Sequence, residues 1–204
     1  MTALLERTVE IEQPDGAGVV HGDLVVPADA PGLVVFAHGS GSSRHSPRNR
    51  FVAQGFQRRG LGTLLMDLLT AEEEVVDERT RHLRFDIDLL ADRLVGAAIW
   101  LARSDATGGL PIGYFGASTG RPDLAGGWLP QVRAPTLLIV GALDTAVIEL
   151  NQRAYDQLGV ERGFEIVAGA THLFEEPGTL DEVSRLAGDW LARHLHGAAR
   201  RSPT

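Results

Sequence analysis

Three side chains in this sequence have the types and the chain order that nucleophilic catalysis requires. Ser118 sits in Gly116-Ala117-Ser118-Thr119-Gly120, a G-x-S-x-G pattern. Asp144 closes Val140-Gly141-Ala142-Leu143-Asp144, and His172 closes Gly169-Ala170-Thr171-His172. A serine hydroxyl is a weak nucleophile until a base takes its proton, and the base works best when a carboxylate orients it. Each residue alone has a plainer reading. A glycine-rich chain produces G-x-S-x-G by chance, aspartate is favoured at helix N-caps, and a lone histidine is more often structural. Their joint order of serine, acid and histidine, each just past a strand, carries the signal.

The loop His38-Gly39-Ser40-Gly41-Ser42-Ser43 could supply the second half of such a site. Acyl transfer needs donors aimed at the developing oxyanion, and the amides of Thr119 and of the Gly39–Ser40 region are the candidates. His38, at a strand end, reads as a buttress of this loop and not as a second base. The basic cluster Arg44, His45, Arg48 and Arg50 follows. Arg44 and Arg48 are candidates for attracting an anionic substrate, although solvated arginines are the plainer reading. No spacing indicates a metal site, and no glycine loop has the context of a nucleotide site.

The elements that must position these residues are legible from periodicity. Thr8–Glu12 and residues 18–26 alternate polar and apolar around the turn signal Pro14-Asp15-Gly16, which predicts an antiparallel hairpin. Leu33–Ala37, Thr63–Met66 and Ile112–Phe115 are continuous apolar runs, the pattern of strands covered on both faces. Pro135–Val140 and Gly163–Val167 are two further strands. Helices are predicted at about Asn49–Arg59, Leu83–Ala102, 145–158 and Leu180–Leu195, while residues 70–80 read as a solvated loop or helix start. Strand and helix alternate from residue 33 onward, so the expected fold is α/β, a mostly parallel doubly wound sheet preceded by the hairpin.

Composition bounds the remaining classes. The chain has 204 residues with 44% hydrophobic and 23% charged, which fits a single domain over 1–197 with a frayed tail at 198–204. A net charge of −8 argues against nucleic-acid binding. No apolar run approaches the roughly 20 residues of a membrane span. The absence of cysteine removes disulfides, thiolate metal sites and a cysteine nucleophile. The first residues lack the apolar stretch of a secretion signal, so a cytoplasmic location is the expectation.

The chain resembles the α/β-hydrolases, and within them the bacterial dienelactone-hydrolase-like group. The matching stretches are His38–Arg44, Arg79-Thr80-Arg81-His82-Leu83-Arg84-Phe85-Asp86, Gly113–Gly120, Ala134–Gly141 and Thr171-His172-Leu173-Phe174-Glu175-Glu176-Pro177-Gly178. The resemblance implies Ser118 as nucleophile, His172 as base and Asp144 as its orienting acid, hydrolysing a small ester or lactone without a cofactor. Dienelactone hydrolases proper use a cysteine, so dienelactone itself is a poor substrate guess.

A second departure follows the nucleophile turn. In the group that turn opens a helix leading to another strand. Here it runs into Arg121-Pro122-Asp123-Leu124-Ala125-Gly126-Gly127-Trp128-Leu129-Pro130, where the prolines and glycines oppose both elements. An average helix and strand with their loops amount to roughly 20 residues. If the next strand closed up, everything beyond would shift by about 4.8 Å. Otherwise the chain crosses a vacant position and leaves core exposed. Two functional readings stay open on this ground: a working serine hydrolase, or a catalytically impaired relative that binds a ligand or partner, for example as a homodimer covering the altered face. A deletion in the sequence record is a third account of the shortfall.

Overall fold

The computed structural model describes residues 4–14, 16, 18–116 and 126–199. Met1–Thr119 with Leu191–Thr204 form one compact unit, and Gly120–Trp190 form a second.

The first unit is built on the hairpin of β1 (Leu4–Glu12) and β2 (Val19–Pro27), with Leu4 opposite Pro27 and Glu12 opposite Val19. Alternation sends Val9 and Ile11 of β1, and Val20, Leu24 and Val26 of β2, into the core. The continuous apolar runs become β3 (Leu33–Ala37) and β4 (Gly62–Met66), which pair in parallel and are buried throughout. β2 pairs antiparallel with β4, and β5 (Ile112–Gly116) pairs parallel with β3, giving the order β1-β2-β4-β3-β5. The expected α/β architecture, a mostly parallel sheet with an N-terminal hairpin, is the one observed.

Helices pack on this sheet where the apolar stripes direct them. The first, α1 (Pro47–Gln57), begins earlier than expected, because the Ser46 hydroxyl accepts the Asn49 N–H and Pro47 occupies the first turn. Phe56 of α1 lies against Phe36 of β3 and Phe115 of β5, with both ring centroids 5.6 Å away. The polar stretch at 70–80 is a helix, α2 (Ala71–Thr80). Thr70 and Glu73 form a reciprocal capping box at its start. A short 3-10 turn, Leu83–Phe85, leads to α3 (Ile87–Arg103), capped by the Asp86 carboxylate. Arg93 of α3 is buried and reaches Glu73 at 2.6 Å, so the capping glutamate also neutralises a core arginine.

β5 differs from its expected environment. Its apolar run predicts cover on both faces, yet Tyr114 is 49% exposed and the strand is half-buried overall. An apolar run reports a strand but not its neighbours, and among the described residues β5 pairs only with β3.

The second unit carries a 3-10 turn (Gly126–Gln131), β6 (Thr136–Gly141), α4 (Thr145–Gln157) and β7 (Arg162–Val167). β6 and β7 form their own two-stranded parallel sheet, with Thr136 opposite Arg162 and Gly141 opposite Val167. α5 (Thr179–Ala199) follows, extending past the helix end expected at Leu195, and its residues from Leu191 belong to the first unit. No strand intervenes between β5 and β6 among the described residues; the part of the divergent segment at 117–125 lies outside them. Among the described residues no helix is long and apolar enough to cross a membrane.

The aromatic cluster gives a direct test of the core. Phe56→Ala should cost about 3–5 kcal/mol, read as a fall in unfolding free energy in urea, whereas truncating exposed Val95 should change it little.

Candidate active site

The parallel register of β6 and β7 sends the two strand ends to one edge, and the loops leaving them carry Asp144 and His172. The loops are laced together by main-chain bonds: Ala142 N–H donates to the Val167 carbonyl and Leu143 N–H to the Ala170 carbonyl, each at 2.9 Å. Gly141 makes that approach possible. A Cβ there would lie 2.5 Å from the Ala170 carbonyl oxygen and 2.6 Å from that of Thr171, both fixed backbone atoms. Only a residue without a side chain fits.

His172 Nδ1 lies 2.6 Å from Asp144 Oδ2, and a bond to a carboxylate oxygen there is made by an N–H on Nδ1. Asp144 occupies the N-cap position of α4 but makes no side-chain capping bond. Its carboxylate is directed to the imidazole, which decides against the simple capping reading. The Asp144 side chain is 17% exposed and that of His172 49%, so the acid is sheltered while the ring is open to solvent. Ser118 and Thr119, the expected nucleophile and oxyanion donor, lie outside the described residues.

The other expected loop follows β3. His38 Nδ1–H donates to the Gly39 carbonyl at 3.1 Å, and His38 Nε2 accepts the Leu68 N–H at 3.3 Å. Both ring nitrogens are therefore committed to tying this loop to the one after β4, the arrangement of a buttress. Gly39 and Ser40 follow directly, and Gly41 has φ +74°. Arg84 braces this turn from the far side. The Ser40 hydroxyl donates to the Arg84 carbonyl at 3.4 Å, and a Cβ on Gly41 would sit 3.3 Å from Arg84 Nη1. Arg84 is itself gripped by buried Asp77, through its N–H to Oδ1 at 3.1 Å and its Nε to Oδ2 at 2.6 Å. Burial pushes the Asp77 carboxyl up, but the Arg84 amide and guanidinium outweigh it and hold the group below its ordinary value.

Of the candidate anion-binding residues, Arg44 directs its guanidinium to Asp67, with Asp23 at 3.9 Å. Arg50 pairs with Asp23 at 3.1 Å and with His45 Nδ1 at 2.9 Å. Arg44 and Arg50 are thus already balanced by carboxylates. Arg48 lies in the first turn of α1. Among the described residues no cluster of histidines and acids could hold a metal ion. Asp77 and Arg84 were not singled out by sequence reasoning. The one available signal was their place in and beside the Arg79–Asp86 stretch, which had no role attached.

A parallel sheet with a hairpin at its start, and an acid and a histidine on adjacent loops at strand ends, define an α/β-hydrolase. A crystal structure of a dienelactone hydrolase from Anabaena variabilis is 49% identical, covers 94% of this chain and 98% of its own, and superposes with a TM-score of 0.90. The chain belongs to the dienelactone-hydrolase-like family of α/β-hydrolases. A cold-adapted esterase from an Arctic intertidal metagenomic library, 17% identical, shares the fold with a TM-score of 0.70 and 94% coverage of each chain. Proteins of two Mycobacterium tuberculosis strains, provisionally named phosphoribosyl transferases, are 50% identical over 94% of this chain. The chain spans about half the length of these relatives, 47%. No protein-family profile matches the chain. The alignment with these relatives runs over 214 residues, and 94% of 204 is about 192, so about 22 aligned positions have no counterpart here.

Two outcomes follow from the geometry. Gly141→Ala should lower stability by about 1–3 kcal/mol in denaturant titrations. Gly127→Ala, whose Cβ would meet nothing within 4 Å, should be close to neutral. Asp77, with its folded value lowered, contributes stability that is complete above its ordinary pKa of 3.8 and is lost as pH falls through the lowered value. Melting temperatures of the natural chain and Asp77→Asn should therefore differ by a constant amount near neutrality and converge in acid.

Proposed function

We propose that the protein is a cofactor-independent serine hydrolase acting on a small carboxylic ester or lactone. The observation that carries this reading is the 2.6 Å bond between His172 Nδ1 and Asp144 Oδ2, made by an aspartate that leaves its helix uncapped. In this mechanism Ser118 Oγ attacks the acyl carbon while His172 Nε2 takes its proton. Asp144 holds the Nδ1–H and stabilises the imidazolium. The amides of Thr119 and the Gly39–Ser40 region receive the oxyanion. Collapse of the tetrahedral adduct breaks the bond to the alkoxy oxygen, which leaves with the proton from His172. Water then repeats the sequence on the acyl-serine, releasing the carboxylic acid and restoring the Ser118 hydroxyl. A lactone would leave as one hydroxy-acid.

The relatives named for phosphoribosyl transfer are about twice the length of this chain. We assign the hydrolase chemistry to the portion matched here, because a dienelactone hydrolase accounts for 98% of its own length over the same span. A catalytically silent ligand- or partner-binding protein remains the rival reading, favoured by the shortfall of about 22 positions.

Labelling by a fluorophosphonate probe separates the two. The natural chain should label, and Ser118→Ala should abolish labelling. Asp144→Asn should lower kcat for p-nitrophenyl acetate on the order of 10⁴-fold. Folded protein that takes up no probe would sink the hydrolase reading and leave the binding one.

A further inference from the structure

The loop bearing His172 is fastened by a carboxylate outside the proposed triad. Glu176 Oε1 accepts the Thr171 hydroxyl at 2.6 Å, and Glu176 Oε2 accepts the Thr171 N–H at 3.1 Å. Both donors belong to the residue immediately before His172. The same loop closes on itself through the Phe174 N–H to the Thr171 carbonyl at 3.3 Å, with Phe174 at φ +52°, a left-handed conformation costly for a bulky residue. Glu176 is fixed in turn from the far side. Its carbonyl accepts the Thr179 hydroxyl at 2.7 Å and the Thr179 N–H at 3.1 Å, and Thr179 is the buried first residue of α5.

A chain of bonds therefore runs from the start of α5 through Glu176 and Thr171 to the residue that presents the imidazole. Asp144 can orient the ring about its own bonds, but it cannot hold the backbone from which the ring hangs. We propose that Glu176 is the positioning residue for His172, setting the backbone of its loop so that Nδ1 meets Asp144. The assignment rests on His172 being the base of the proposed reaction. Both Thr171 donors hold the Glu176 carboxyl below the ordinary carboxylate range, so both oxygens stay ionised acceptors at neutral pH.

The test reads the imidazole directly. In the ¹⁵N-labelled full chain, two-bond ¹H–¹⁵N spectra report which ring nitrogen carries the proton once the ring is neutral, with His172→Gln for assignment. The natural chain should show His172 protonated on Nδ1, the signature of its bond to Asp144. Glu176→Ala should shift the ring toward the Nε2-protonated form that free imidazole side chains favour. It should also lower kcat for p-nitrophenyl acetate on the order of 10²-fold with KM little changed. Thr171→Val removes the hydroxyl bond while keeping the amide one, so it should give a smaller shift in the same direction. It supplies the readout if Glu176→Ala fails to fold. A folded Glu176→Ala or Thr171→Val chain with the His172 tautomer of the natural protein would overturn the proposal. So would a kcat loss that only tracks the unfolded fraction. If the natural chain hydrolyses no ester, the hydrolase reading fails, yet the tautomer comparison still decides the role of Glu176.

Discussion

Two carbonyl oxygens over Gly141 set how close the acid and the histidine can come. β6 and β7 run parallel with Gly141 opposite Val167, so both chains leave the sheet at the same edge. The turn after β7 folds across Gly141, with the Ala170 and Thr171 carbonyls where a side chain would otherwise stand. That contact brings Asp144, three residues past Gly141, beside His172, five residues past Val167. An antiparallel pair would send the same loops to opposite ends of the sheet. The Asp144–His172 bond thus depends on a backbone approach that only one residue type permits.

Loops of this kind lack the ladder bonds of a sheet, and here carboxylates supply the missing restraint. Glu176 grips the residue before His172, and Asp77 grips Arg84 beside the Gly39–Gly41 turn. Asp67 grips both the amide and the guanidinium of Arg44 just beyond that turn. In each case one carboxylate binds two donors, so its position is fixed as well as its charge. In the basic cluster after β3, Arg44 is partnered by Asp67 and Asp23, and Arg50 by Asp23 and His45, so both cations also tie the loop to its neighbours.

Burial periodicity made the hairpin, β3, β4 and α3 legible, because each shows on one chain segment the pattern that its environment imposes. Helix starts are set by local capping residues that periodicity does not report. Ser46-Pro47 starts α1, and Thr70 with Glu73 turns an acid-rich stretch into α2. The environment of β5 was not legible in principle, since Ile-Gly-Tyr-Phe reads alike in a central strand and at an edge. Asp144 and His172 could be found because each lies one short loop beyond a recognisable strand. Asp77 and Arg84, and Glu176 with Thr171, could not. Their roles arise where chain segments meet side by side, and no residue type or spacing announces which carboxylate will face which donor.

Among the described residues β5 pairs only with β3, and Tyr114 on it is half-exposed. Asp144 and His172 lie together in the other compact unit. β6, β7, the Gly141 approach, the Asp144–His172 bond and the Glu176 anchor all join residues between 136 and 179. A parallel βαβ unit encloses its own strand pairing and crossover helix. In this chain its core includes Val140, Ala154, Leu158 and Val167, all buried. The bond to the imidazole and the anchor of the loop that carries it are thus both borne by this one βαβ unit and the turn that leaves it.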